Sequence, residues 1–262
     1  MSKNLDLTIT SLDSITAWGL DGSFRFILDE LQDAKIAHTQ EKEDITGKGG
    51  RKLNSLKKNK TVVVSGTNGL VSSGLLAAQV GGTFTMKDST PVAWVDYLTV
   101  ASNAATTEYK AVGTAGAEIS ELYTKNSDGT LGDKLEQAET AATGKFAYDP
   151  ATKVLTFSGL EDGTEIVAFY TRNVAGSVMT NESDKYSEKL RLYVDATAED
   201  KCSNVYHVQF LIYKADFSGD FDLDMGDSQT VHAFEAESLA GSCGSNGSLW
   251  DFTVFGANAA DA

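Results

Sequence analysis

Alternation of apolar and polar residues with a period of two recurs along the chain and predicts a mainly β protein. The clearest cases are residues 189–196 (KLRLYVDA) and 205–214 (VYHVQFLIYK), which predict two strands in the middle of a sheet. Shorter runs predict strands over 5–9, 24–28, 61–65, 83–86, 92–100, 119–123, 146–148, 154–157, 165–172 and 249–255. A total of about ten to twelve strands is typical of a β-sandwich or barrel.

Several connections follow from turn-forming residues. The sequence Gly-Leu-Asp-Gly at 19–22 predicts a hairpin between the first two strands, and Pro91 predicts a turn between the strands at 83–86 and 92–100. Residues 29–44 are predicted to form a short turn followed by a strand, because their apolar positions make no helical stripe.

One segment has the pattern of a short amphipathic helix. Ser72 or Ser73 is suited to cap its start, and the pair at 81–82 is glycine. The apolar stripe of the predicted helix consists of Val71, Leu75, Leu76 and Val80. Serine at the N-cap and glycine just after the last turn are common helix boundaries. The sequence therefore predicts a helix that packs on the β structure.

The segment before this helix, residues 46–60, is rich in glycine and lysine. It is too polar for a core, and its glycines favour a flexible loop that becomes ordered against a partner. The alternative is a solvated loop beside an acidic body. The candidate interface residues are Lys48, Arg51, Lys52, Lys57, Lys58 and Lys60.

Length permits one large β domain or two ordinary ones, since the chain has 262 residues. We predict a single domain over 1–262 that carries a surface insertion over 101–144, where small and polar residues obscure any pattern. The first residues lack the features of a signal peptide, and no apolar run is long enough to span a membrane. These features predict a soluble protein made in a cytoplasm, with Cys202 and Cys243 as thiols.

The formal net charge of −15 argues against a nucleic-acid-binding protein, because such a field repels phosphates. The charge is uneven, since cations concentrate between Lys35 and Lys60 and acids dominate elsewhere. This asymmetry would allow copies of the chain to dock head to tail.

Three aspartates, Asp220, Asp222 and Asp224, alternate with apolar residues and predict a strand over 216–226 with an acidic face toward water. An EF-hand starting at Asp220 would require glycine and glutamate where Met225 and Val231 stand, so a calcium loop is not indicated.

Other chemical signatures are missing from the sequence. The histidines are scattered, and neither the nucleophile elbow G-x-S-x-G nor the phosphate loop G-x-x-x-x-G-K-[ST] occurs. The tryptophans at 94 and 250 lie in strand-like runs, where packing in the core explains them better than a carbohydrate-binding platform. The sequence therefore predicts a protein that is not an enzyme and needs no metal or other cofactor.

Two stretches resemble the tail tube proteins (major tail proteins) of tailed bacteriophages. They are EDITGKGGRKLNSLKKNKTVVVSGTNGLVSSGLLAAQVGG at 43–82 and YKADFSGDFDLDMGDSQTVHAFEAESLAG at 213–241, the latter followed by GSLWDFTVF. The order of the parts between them also fits, so the resemblance covers nearly the whole chain.

The resemblance implies a β-sandwich or barrel of the tail tube type with one flanking helix and an inserted surface segment. It further implies hexameric rings that stack into a hollow conduit for DNA ejection in the virion tail, after assembly in the host cytoplasm. The basic residues would contact a neighbouring ring, and Asp220, Asp222 and Asp224 are candidates for an acidic lumen that lets DNA slide.

The expected partners are the chain itself and, in addition, tail sheath, tape measure and tail terminator proteins. DNA would pass without specific binding, and no membrane anchor is expected. The alternatives are another virion structural protein, either capsid-associated or of the baseplate, and the tube subunit of a phage-tail-like contractile injection system.

Overall fold

The computed structural model describes residues 6–223, 231–240 and 247–256. It contains one α-helix, α1 (Ser73–Val80), and is otherwise built of β-strands. The strands are β1 (Leu7–Gly19), β2 (Phe24–Leu28), β3 (Leu31–Thr46), β4 (Lys52–Asn68), β5 (Thr85–Thr99), β6 (Ala104–Thr106), β7 (Ile119–Lys125), β8 (Leu131–Gln137), β9 (Lys145–Asp149), β10 (Val154–Phe157), β11 (Glu165–Val178), β12 (Lys189–Asp200), β13 (Val205–Phe217), β14 (His232–Ser238) and β15 (Trp250–Gly256).

The chain divides into two compact units, residues 1–84 with 179–262 and residues 85–178. The first holds an eight-stranded sheet in the order β2-β1-β12-β13-β14-β4-β3, with β15 also paired to β13. The second holds a seven-stranded sheet in the order β5-β11-β7-β8-β9-β10-β6. The predicted mainly β fold of sandwich and barrel type, with one helix, is confirmed.

The first unit curls its sheet around a main apolar core, and a smaller cluster of Ala196, Ala198 and Val208 lies beside it. The inward side chains alternate along β12, where Leu190, Leu192 and Val194 are buried, as the sequence pattern predicts for a strand in the middle of a sheet. Leu75 of α1 reaches the same core and is completely buried. The helix therefore closes one side of the curled sheet, as predicted.

The ends of α1 match the boundary residues found in the sequence. The Ser72 hydroxyl accepts a hydrogen bond from the Leu75 N–H at 3.3 Å. Gly81 adopts a left-handed conformation with φ of 68°, and a Cβ there would lie 2.1 Å from the Tyr186 carbonyl oxygen. Only glycine suits this position, because both the backbone angle and the contact exclude a side chain.

A buried histidine joins α1 to β14. The Nδ1 of His232 accepts the Ser72 N–H at 3.3 Å, so the proton lies on Nε2, which donates to Gln79 Oε1 at 2.8 Å. Gln79 in turn donates to the Ala233 carbonyl at 3.0 Å. Burial lowers the pKa of His232. The ring is thus held neutral, in the one tautomer that serves both partners.

Acid is expected to destabilise the protein through His232. The pKa of His232 is lower in the folded protein than in the unfolded chain, where it is about 6.5. As the pH falls, the unfolded chain therefore takes up the proton first, which favours unfolding. The free energy of unfolding should fall from pH 7.5 to pH 5, by about 1.4 kcal/mol for each unit by which folding depresses the pKa. Urea denaturation between pH 7.5 and pH 5 measures this loss of stability.

His232→Gln should flatten the dependence of the free energy of unfolding on pH. His38→Gln, at an exposed position, is the control and should keep that dependence. Parallel curves for the wild type and His232→Gln would contradict the prediction.

The second unit is a sandwich with its own core. Leu122, Ile166 and Tyr170 from β7 and β11 pack with Phe146 and Leu155 from β9 and β10. Trp94 and, in the first unit, Trp250 pack against the cores as partly buried residues, which confirms their predicted packing role.

Two sequence predictions are wrong in this architecture. Pro91 lies inside β5 rather than in a turn. Proline has no N–H to donate, and it is tolerated here because β5 is an edge strand with a neighbour on one side only. Residues 218–223 form no strand, although they were predicted to do so. The segment 101–144 contributes Ala105, Ile119 and Leu135 to the second core. That it faces outward in an assembled tube stays a prediction, as does the single domain.

No helix in the described part of the chain is long and apolar enough to cross a membrane.

Candidate assembly interface

The basic segment is the outer half of a long antiparallel hairpin, not a flexible loop. β3 and β4 pair from Leu31 with Asn68 out to Thr46 with Lys52. The tip is a 3₁₀ turn at Lys48–Gly50, where Gly49 and Gly50 have φ of 77° and 75°. These positive angles favour glycine, so the glycines that suggested flexibility instead close a tight turn. The prediction of a loop is therefore wrong.

This hairpin extends well beyond the sheet from which it emerges. Within the residues that the structure describes, β14 pairs with β4 only over Val63–Asn68. We call residues 39–60 the ribbon; each of its strands has the other as its neighbour. Nearly every ribbon residue is exposed. An isolated two-stranded ribbon is at best marginally stable in water, so this one has the character of a segment that gains support from a partner.

The six basic candidate residues all lie on the ribbon. Lys48 is in the tip turn, Arg51 follows it, and the other four lie along β4. The ribbon carries seven lysines and arginines against three acids, although the whole chain has a net charge of −15. The structure thus brings the predicted cations together on one projecting element.

Two of the ribbon's three acidic residues form ion pairs with lysines on the opposite strand. Lys58 Nζ lies 2.7 Å from Glu43 Oε2, and Lys52 Nζ lies 2.6 Å from Asp44 Oδ2. These pairs are exposed and add little stability. Among the described residues no carboxylate lies within ion-pair distance of Lys48, Arg51, Lys57 or Lys60. Those four cations are available to a partner.

The ribbon also exposes apolar side chains, which the sequence analysis missed. Leu53, Leu56 and Ile45 are 61%, 51% and 41% exposed. Ile45 pairs with Asn54, which places it diagonal to Leu56 on one face. Leu53 is the extra residue of a bulge and folds over Gly47, where a Cβ would come within 2.8 Å of Leu53 Cδ1. The two leucines are visible in the sequence KLNSLKK at 52–58, but the surrounding lysines led to the prediction of a purely basic segment.

The structure describes two of the three aspartates that are predicted to line an acidic lumen. Asp220 and Asp222 are exposed and line an open cleft of about 660 Å³ together with Glu235, and Asp224 lies outside the described residues. Exposed and half-buried positions still alternate over 220–223 without strand pairing. Whether these carboxylates face a channel stays a prediction.

Comparison with known proteins assigns the chain to a family. The sequence matches the model of the YomU/Tube protein family over residues 9–249, which is most of the chain. No curated protein was found to be similar in sequence. The matched range includes both β3 and β4, and therefore the whole ribbon. The chain belongs to the YomU/Tube protein family and is a phage tube-like structural protein, a component of the virion tail.

Proposed function

We propose that this protein is the repeating subunit of a phage tail tube, with six copies in each ring and rings stacked into a hollow conduit through which DNA is ejected. Its role is structural rather than catalytic. The chain itself is its main partner, and sheath, tape measure and terminator proteins are further partners. Assembly takes place in the host cytoplasm. Family membership supports this proposal, since it already makes the chain tube-like.

The observation that carries the proposal is the ribbon. It projects as an exposed two-stranded element with leucines, which are costly to leave in water, and with cations that no described carboxylate pairs, which can attract an acidic partner. The rest of the chain carries all of the net negative charge, so one copy's ribbon and another copy's body attract each other.

An acidic wall would suit the conduit. Carboxylates repel the phosphates of DNA, so the duplex would slide without sticking. Asp220 and Asp222, both exposed, are the described candidates for such a wall.

Negative-stain electron microscopy of the purified protein tests the proposal. We expect rings or hollow tubes of uniform width in about 0.1 M salt and fewer of them near 1 M, where the Debye length falls from about 10 Å to about 3 Å. Reversing Lys57 and Lys58 to glutamate should reduce assembly. The control reverses Lys87 and Lys110, which are exposed in the second unit, and changes the net charge equally. Single particles at every concentration and salt would contradict the proposal.

A further inference from the structure

The first unit contains an apolar cavity that none of the residues described by the structure fills. It has a volume of about 530 Å³ and lies where the curled sheet brings β1 toward the base of β3. Its lining includes Ile9, Leu12, Ile36, Val194 and Phe210. Ile9 is 54% exposed there, although it lies in a paired strand. Apolar surface of this kind on an open concave face marks a place for a partner.

The cavity is large enough to accept side chains. A cavity of about 150 Å³ holds a benzene molecule, so one of 530 Å³ has room for more than one aliphatic side chain. Filling it would bury apolar groups on both partners, at about 25 cal/mol for each Å² removed from water.

The ribbon of the same chain cannot fill this cavity. The cavity is lined by residues 31–36 of β3, which form the base of the hairpin. The tip begins after Thr46, ten residues further along an extended strand, a distance of about 30 Å. The ribbon leads away from the cavity at its base, so its apolar tip can enter only the cavity of another copy.

We propose that the ribbon of one copy inserts Leu53 and Leu56 into the β1–β3 cavity of a second copy. This inference rests on the proposed function, and it names the donor and the receiving surface of the contact between subunits. The two surfaces match in apolar character: the cavity is mainly apolar, with Asp33 and Lys35 also in its lining, and the ribbon offers two exposed leucines, Leu53 and Leu56.

The contact has a definite symmetry. Donor and receiver are different parts of the molecule, so the interface is head to tail, and a pair of copies keeps one free ribbon and one free cavity. Such an interface continues from copy to copy until a ring closes, or forms a filament if it does not.

Disulfide trapping tests the inference. Leu53→Cys and Ile9→Cys are introduced together in a chain whose native cysteines, Cys202 and Cys243, are replaced by serine. Oxidation should then produce a ladder of covalent dimers, trimers and larger species on a denaturing gel. Internal closure of the bond is excluded by the distance of about 30 Å, because a disulfide needs Cα atoms within about 7 Å. Each single cysteine variant should give no ladder.

The matched control replaces Leu53→Cys by Leu70→Cys, because Leu70 and Leu53 are both 61% exposed. A ladder from the Leu53 pair and none from the Leu70 pair supports the inference. Equal ladders, or none from the Leu53 pair, overturn it. Electron microscopy of the unsubstituted chain separates the two proposals: wild-type tubes without a ladder from the Leu53 pair reject only this contact, whereas an absence of rings and tubes from the unsubstituted chain rejects the proposed function as well.

Discussion

Replacing both Leu53 and Leu56 by serine is expected to abolish tube assembly and leave the subunit folded. The two side chains are 61% and 51% exposed in the single chain, so folding gains little from them. In an interface, each leucine that becomes fully buried contributes about 1.5–3 kcal/mol, so the pair contributes about 3–6 kcal/mol per contact. Losing this free energy raises the dissociation constant of each contact between subunits roughly 10²- to 10⁴-fold.

The experiment combines sedimentation with electron microscopy of the variant at the concentration where the wild type assembles. Leu70→Ser with Leu131→Ser is the matched control, since these leucines are 61% and 50% exposed and lie away from the ribbon. The control should assemble. If the ribbon variant forms tubes as readily as the control, the ribbon leucines are not part of the contact between subunits.

The second large effect is expected from Asp96, a carboxylate buried in the second unit. Its Oδ2 accepts hydrogen bonds from the Tyr170 hydroxyl at 2.7 Å and the Glu108 N–H at 2.8 Å. Its Oδ1 accepts the Trp94 indole N–H at 2.9 Å. The side chain therefore ties β5 to β11 and to the segment that follows β6. The hydrogen bond to Asp96 and burial together raise the pKa of Tyr170, with burial the larger cause.

Asp96→Ala should lower the free energy of unfolding of the second unit by about 3–5 kcal/mol, because three donors lose their shared acceptor in a buried site. Tyr170→Phe removes only one of these donors and should cost about 1–2 kcal/mol. Asp133→Ala, at an exposed position in the same unit, should stay within about 0.5 kcal/mol of the wild type. Urea denaturation measures all three, and an Asp96→Ala loss no larger than that of Asp133→Ala would show that this network is not stabilising.

The hydrogen-bond donors around Asp96 show why sequence alone missed this site. The run VAWVDYLTV reads as a strand with one polar residue among apolar ones, and nothing in it says which face the aspartate takes. Burial of the carboxylate depends on donors supplied by Glu108 and Tyr170, which are distant in sequence. A polar group can be buried only where such partners converge, and convergence is a property of the folded chain.

The ribbon illustrates the same limit for secondary structure. Strands that are exposed on both faces carry no alternation of apolar and polar residues, so residues 39–60 had no period to detect. Their pairing follows from the well-patterned base of the hairpin, where Val62 and Val64 are buried, and continues outward by backbone hydrogen bonds. The glycines at the tip were read as flexibility because their φ values of 77° and 75° are visible only in the structure.

The sequence by itself determined the features that rest on local patterns: the mainly β fold, the central strands β12 and β13, the helix with its Ser72 and Gly81 boundaries, and the tail tube family. Each depends on residues within a few positions of one another, where side-chain periodicity and backbone preference act directly. Only the tertiary structure decided that the basic segment is a ribbon, that Asp96 is buried, that β5 runs through Pro91, and that a cavity opens between β1 and β3. These depend on which distant segments meet, and the energy of such contacts is not encoded in any single stretch of chain.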